Sequence, residues 1–204
     1  GSMGALDVLA DWPVPTAAAA VVSTAGVLAD WGDTRHRFAL ASVTKPLVAR
    51  AAQVAVEEGA VSLDTPAGPP GSTVRHLLSH AAGYEMTSGK VLAEPGTRRI
   101  YSNHGFTVLA EVMQRESTIP FESYLREAVL DPLAMADTEF EGGAEAAGYG
   151  ATSTVADLAA FAGDLLEPVT VSEGWPGPPQ LRKSVPDWFR DPLQFGRPPP
   201  PGSG

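Results

Sequence analysis

Residues 38–59 read Phe38-Ala-Leu-Ala-Ser-Val-Thr-Lys45-Pro-Leu-Val-Ala-Arg-Ala-Ala-Gln-Val-Ala-Val-Glu-Glu-Gly59. This is the clearest helix in the chain. Ser42 is a natural N-cap, and Pro46 falls in the first turn, where a backbone N–H has no intrahelical partner to lose. Gly59 supplies the left-handed stop. Between them Val43, Leu47, Val48, Ala51, Ala52, Val54, Ala55 and Val56 leave almost no polar side. A helix apolar nearly all round belongs inside a domain rather than on its surface.

That helix begins with two residues able to do chemistry. Ser42 and Lys45 stand three apart and share a face. A serine at a helix N-terminus meets free N–H groups and the positive end of the macrodipole, which favour a developing negative charge. Its hydroxyl needs a base, and its own N–H can donate to an oxyanion. A lysine on a buried helix loses hydration, so its pKa falls and a neutral amine becomes accessible. Of 14 basic residues only Lys45, Lys90 and Lys183 are lysine. Arginine cannot act as a base, so the lysine is an informative choice. A Ser cap beside a snorkelling Lys would give the same four letters.

Outward from this helix, residues 16–23 and 26–31 read as two short strands joined at Thr24-Ala25-Gly26. Helices are predicted over 73–80, 103–116, 121–129 and 154–166, with Thr154 and Asp157 in capping-box register. The stretch 81–96 reads as irregular. Tyr101-Ser102-Asn103 opens the third helix. A tyrosine there can aim its phenol into a cleft and serve as a base beside a cationic Lys45. Asn103 offers donor and acceptor to a substrate amide or ester, although a packed Tyr beside an Asn cap fits the same letters. His76 and His80 are four apart on a short apolar helix without a third ligand, which reads as structural or surface rather than metal-binding.

Composition sets limits. The chain has 204 residues, 44% apolar and 19% charged, with no cysteine and a net charge of −10. Disulfides, thiol chemistry and Cys-ligated metals are excluded, and the charge argues against a nucleic-acid surface. No apolar run is long enough to span a membrane. The 31 residues from Gly174 to Gly204 hold 9 prolines and 5 glycines, and carry +2 while the rest carries −12. Such a segment reads as irregular or disordered chain. The domain is therefore expected over residues 1–173, with a Pro/Gly-rich tail over 174–204. Gly1-Ser2-Met3 looks like a tag remnant, and the lack of a visible signal peptide favours the cytoplasm.

The segment Phe38 to Lys45 resembles the nucleophile segment of the serine β-lactamase and penicillin-binding protein superfamily. Within it the chain looks most like the class C β-lactamase and family VIII carboxylesterase group. Leu63-Asp-Thr-Pro66, Thr73 to Gly83, Pro95-Gly-Thr97 with Tyr101-Ser-Asn103, Asp131 to Met135 with Asp137, Thr138 and Phe140, and Gly150 to Asp157 are similar to later landmarks of that group, in the same order. The resemblance implies an α+β, β-lactamase/transpeptidase-like fold, here an N-terminal β-hairpin and a mostly helical body. It implies that Ser42 is acylated by an ester, amide or β-lactam carbonyl, that Lys45 and Tyr101 share proton transfer, and that Asn103 contacts substrate. It implies no metal and no organic cofactor. The group's third motif, Lys/His-Thr/Ser-Gly on a late strand, is not found, and the C-terminal strands are not recognisable. The expected function is an esterase or peptidase-type acyl hydrolase. The alternative is a truncated, catalytically impaired fragment or pseudoenzyme that only binds, and an uncovered sheet edge predicts self-association.

Overall fold

The computed structural model describes residues 4–172. The Gly1-Ser2-Met3 remnant and the tail from Gly174 onward lie outside the described residues.

A short 3-10 turn, Asp7–Asp11, leads into a β-hairpin of β1 (Ala18–Ser23) and β2 (Gly26–Gly32). The strands are antiparallel from Ala18 opposite Gly32 to Ser23 opposite Gly26, with a bulge between Val21 and Val22. Gly26 turns the chain at φ +110°. At Gly32, φ is +76° and an added Cβ would run into the Ala17 carbonyl, so the strand end requires glycine.

After β3 (Phe38–Ala39) the chain makes a 3-10 turn, Ala41–Val43, and enters α1 (Thr44–Glu57). The helix thus starts one residue later than the sequence predicts. Ser42 is in the preceding turn and does not cap it: the cap position is Val43, with no side-chain hydrogen bond. The C-terminus ends as predicted, with Gly59 at φ +80° and the Ala60 N–H returned to the Ala55 carbonyl. Leu47, Val48, Ala49, Ala51, Ala52 and Ala55 are completely buried, so α1 is the axis of the core. Large aliphatic side chains in such a position contribute about 1.5–3 kcal/mol each.

Around α1 lie α2 (Val74–Leu78), α3 (Asn103–Ser117) and α4 (Phe121–Leu125), the last passing directly into one π-helical turn, Arg126–Leu130. Phe106, Leu109 and Met113 of α3 join Phe121 and Leu125 of α4 in the same core cluster. Two two-residue strands and a three-residue one then form a second sheet. β3 and β4 (Glu139–Phe140) flank β5 (Ala151–Ser153), both antiparallel to it. Sequence reading found the hairpin and missed this sheet, because runs of two or three residues show no alternation.

The chain ends its described course in α5 (Val155–Leu166), which packs against β1. Thr154 caps it, accepting from the Asp157 N–H at 3.1 Å. The predicted reciprocal box does not form. The Asp157 carboxylate instead accepts from the Asp137 N–H at 3.0 Å and the Thr138 hydroxyl at 2.7 Å, tying α5 to the approach to β4. Among the described residues no helix is long and apolar enough to cross a membrane.

Candidate active site

The turn carrying Ser42 is held from both sides by one residue of β5. The Leu40 N–H donates to the Ala151 carbonyl at 2.9 Å, and the Ala151 N–H donates to Thr44 Oγ1 at 3.1 Å. Ser42 lies between these two anchors. The residue before it, Ala41, is forced to φ +48°, a left-handed conformation that costs a non-glycine residue about 1–2 kcal/mol. Strain of this kind persists only where the surroundings over-determine the backbone. Ser42 is half-buried. No hydrogen bond joins its N–H or hydroxyl to another described residue.

One turn on, Lys45 is completely buried. Its Nζ donates to Asn103 Oδ1 at 2.5 Å and to the Gly148 carbonyl at 2.7 Å. It also lies 4.6 Å from the centre of the Tyr101 ring and 5.8 Å from that of Phe106. Among the described residues no carboxylate pairs with it. Burial therefore dominates and brings its pKa down from 10.5 to about 8. Lys45, Tyr101 and Asn103 thus converge on one ammonium, one helical turn beyond Ser42.

Tyr101 and Asn103 are placed by the start of α3. Ser102, not Asn103, is the cap, its hydroxyl accepting from the Gly105 N–H at 2.9 Å. The Ser102 N–H donates to His80 Nδ1 at 3.1 Å, and the Ile100 N–H to the His80 carbonyl at 2.8 Å. His80 sits at φ +56° with its ring 4.8 Å from that of Tyr101 and 5.2 Å from that of Phe106. Desolvation, then the nearby Arg99 and Lys45 charges, hold its pKa down at about 3. It is a neutral ring, accepting at Nδ1 and hence protonated at Nε2. Its part is structural, as the sequence suggested. So is that of His76, which caps α2 by accepting the Thr73 N–H at 3.0 Å.

Gly148 is a site residue that sequence reasoning missed. An added Cβ would stand 3.1 Å from Asn103 Oδ1 and 3.2 Å from Asn103 Cα, closer than ordinary van der Waals contact, so a side chain here would press on Asn103 where it meets Lys45. Ala151 was missed too. The sequence signals were a pair of glycines around Tyr149, which marks a turn, and the landmark over Gly150 to Asp157, neither of which shows what these residues touch.

A family model described as Beta-lactamase matches residues 9–186. The chain belongs to the β-lactamase family. Its fold is β-lactamase/transpeptidase-like, α+β with small sheets and a mostly helical body. A crystal structure of a β-lactamase from Mycobacterium bovis is 68% identical over 88% of this chain, with a TM-score of 0.83, and the chain spans 64% of that structure's length. Two more distant structures share the fold. The octameric penicillin-binding protein homologue from Pyrococcus abyssi is 22% identical, with TM-score 0.64 and coverage of 74% of this chain and 52% of that one. The D-alanine carboxypeptidase AmpC from Burkholderia cenocepacia is 20% identical, with TM-score 0.68 and coverage of 87% and 64%. No curated protein matches the chain.

Proposed function

We propose that this chain carries the nucleophile half of a serine acyl hydrolase, with Ser42 as nucleophile, Lys45 and Tyr101 sharing proton transfer, and Asn103 contacting substrate. One observation carries the proposal: a completely buried lysine, its Nζ held by Asn103 and Gly148, one helical turn from a half-buried serine, a burial that lowers its pKa to about 8. A pKa of 8 leaves about one amine in ten neutral at pH 7, against fewer than about one in a thousand for an ordinary lysine.

The hydrogen bonds suit that role. A neutral amine has two N–H groups and one lone pair. Asn103 and Gly148 accept both N–H groups, which leaves the lone pair for a proton. Ser42 Oγ attacks the carbonyl carbon as its proton passes to Lys45, directly or through Tyr101, and the C=O becomes an oxyanion. The Ser42 N–H donates to that oxyanion. Collapse breaks the C–O or C–N bond, and the Lys45 ammonium returns the proton to the departing oxygen or nitrogen. Water then repeats the sequence on the acyl-serine and frees the acid.

The substrate class is an ester or a peptide-type amide. A β-lactam is a strained amide open to the same attack, and the 68% identical relative is called a β-lactamase. Fluorophosphonate and fluorescent penicillin probes, applied to the parent chain and to Ser42→Ala, test the proposal. Covalent labelling of the parent and none of the variant is expected. A folded parent that neither probe labels overturns the hydrolase reading in favour of a chain that only binds.

A further inference from the structure

The start of α3 is gripped by the loop that precedes it. The Ser102 hydroxyl donates to the Glu85 carbonyl at 2.7 Å, the Asn103 N–H to the Met86 carbonyl at 2.8 Å, and the His104 N–H reaches the same oxygen at 3.4 Å. The first turn of a helix leaves four N–H groups without helical partners. Here the loop, through the Met86 carbonyl, supplies an acceptor for those of Asn103 and His104.

The loop is closed on itself. The Glu85 N–H donates to the Lys90 carbonyl and the Leu92 N–H to the Gly83 carbonyl, each at 2.8 Å, and Tyr84 bridges to Val91. Yet residues 86–92 are all exposed, so the loop buries little that could hold it down. Besides Ser102, the α3 side chain that meets it is His104. The Tyr84 ring stands edge-on to the imidazole, 4.7 Å between centres at 81°. On the far turn of the loop, a Cβ on Gly89 would come within 3.3 Å of His104 Nε2. One ring thus packs on Tyr84 in one limb and leaves no room for a side chain at Gly89 in the other.

The geometry points to His104 as a positioning residue: its ring, packed on Tyr84 and standing next to Gly89, pins the 83–92 loop to the start of α3 and so holds Asn103 against Lys45. This rests on the reading of Lys45 as the base, and it assigns His104 no contact with substrate. The contact is one of packing, so an aromatic ring of similar size replaces it and a methyl group does not.

Only three lysines are present, so NMR of the chain labelled with 13Cε-lysine follows Lys45 directly. The parent, His104→Ala, His104→Phe and the milder Gly89→Ala are titrated and their labelling by the fluorophosphonate timed. In His104→Ala the Lys45 midpoint is expected to fall by about half a unit, because the bond to Asn103 favours the charged amine. Labelling is expected to slow about tenfold or more. His104→Phe restores both, and Gly89→Ala, pressing on the ring, shifts both in the direction of His104→Ala. An unchanged Lys45 midpoint in His104→Ala overturns the proposal, as does a Phe variant that behaves like Ala. If His104→Ala does not fold, Gly89→Ala and His104→Phe decide by the same readouts. A parent that resists labelling while its Lys45 midpoint still responds to His104 defeats the hydrolase reading and leaves the positioning role standing.

Discussion

At the scale of residues, the site turns on the absence of a counter-charge among the described residues. Lys45 is buried with neutral acceptors only, and its neighbour His80 is kept neutral partly by the Lys45 charge itself. Because the folded-state pKa of Lys45 is depressed, the folded chain binds fewer protons than the unfolded one between about pH 8 and 10.5. The cost of burying the charge is thus present in full below pH 8 and is relieved as pH rises through that window. Reactivity runs in the same direction. Ser42 labelling is expected to accelerate with pH and level off above about 8, and Lys45→Arg, which cannot deprotonate, to abolish it at every pH. A rate that is flat or falls from pH 6 to 9, measured under pseudo-first-order conditions, removes Lys45 as the base. Sequence made the pair Ser42–Lys45 visible because three-residue spacing is local. It could not show that no carboxylate among the described residues pairs with the lysine, since every group that might neutralise it arrives from elsewhere in the chain.

At the scale of elements, α1 is legible to within one residue at its start and in full at its glycine stop. Its polar exceptions are not. Arg50, 3% exposed on an otherwise apolar helix, looks misplaced in the sequence. In the structure its Nε lies 3.1 Å from Asp164 Oδ2 on the last turn of α5, and a terminal nitrogen donates to Gln53 Oε1 at 2.7 Å. Asp164 in turn accepts from the Val169 and Thr170 N–H groups at 2.7 and 3.0 Å, fastening the chain beyond α5. A charge left alone there is costly. Asp164→Ala is expected to lower stability by about 3–5 kcal/mol in urea unfolding, and the double variant Arg50→Met/Asp164→Leu to lose much less. Equal losses in the two would mean that the loop tether, not the buried charge, carries the effect. The second sheet was illegible for a different reason. Strands of two or three residues are stabilised by their partners, not by their own propensity.

At the scale of the molecule, the core lies around α1 and the hairpin lies at its margin. β1 is half-covered by α5, while β2 exposes Val27 and Leu28 at 54% and 64%. Val21 on β1, and Trp12 and Val14 before it, are also exposed. Among the described residues no further strand pairs with this hairpin, and an apolar sheet edge is a template for another chain. Concentration-dependent self-association is expected in sedimentation velocity, and Val27→Lys with Leu28→Glu to return the chain to monomer without altering Ser42 labelling. A monomer at every concentration removes the edge as an interface.

What the sequence by itself determined is whatever depends on near neighbours. That includes the central helix and its glycine stop, the cap at Thr154, the hairpin turn, the Ser42–Lys45 spacing and the ordered landmarks of the family. The tertiary structure alone decided the chemistry of the lysine. Its two hydrogen-bond acceptors, Asn103 and Gly148, lie 58 and 103 residues away along the chain. The turn carrying Ser42 is anchored by Ala151, and Asn103 is set by a loop that His104 holds down. A pKa depends on what surrounds a group in space, and folding brings those surroundings together from segments that share no local pattern.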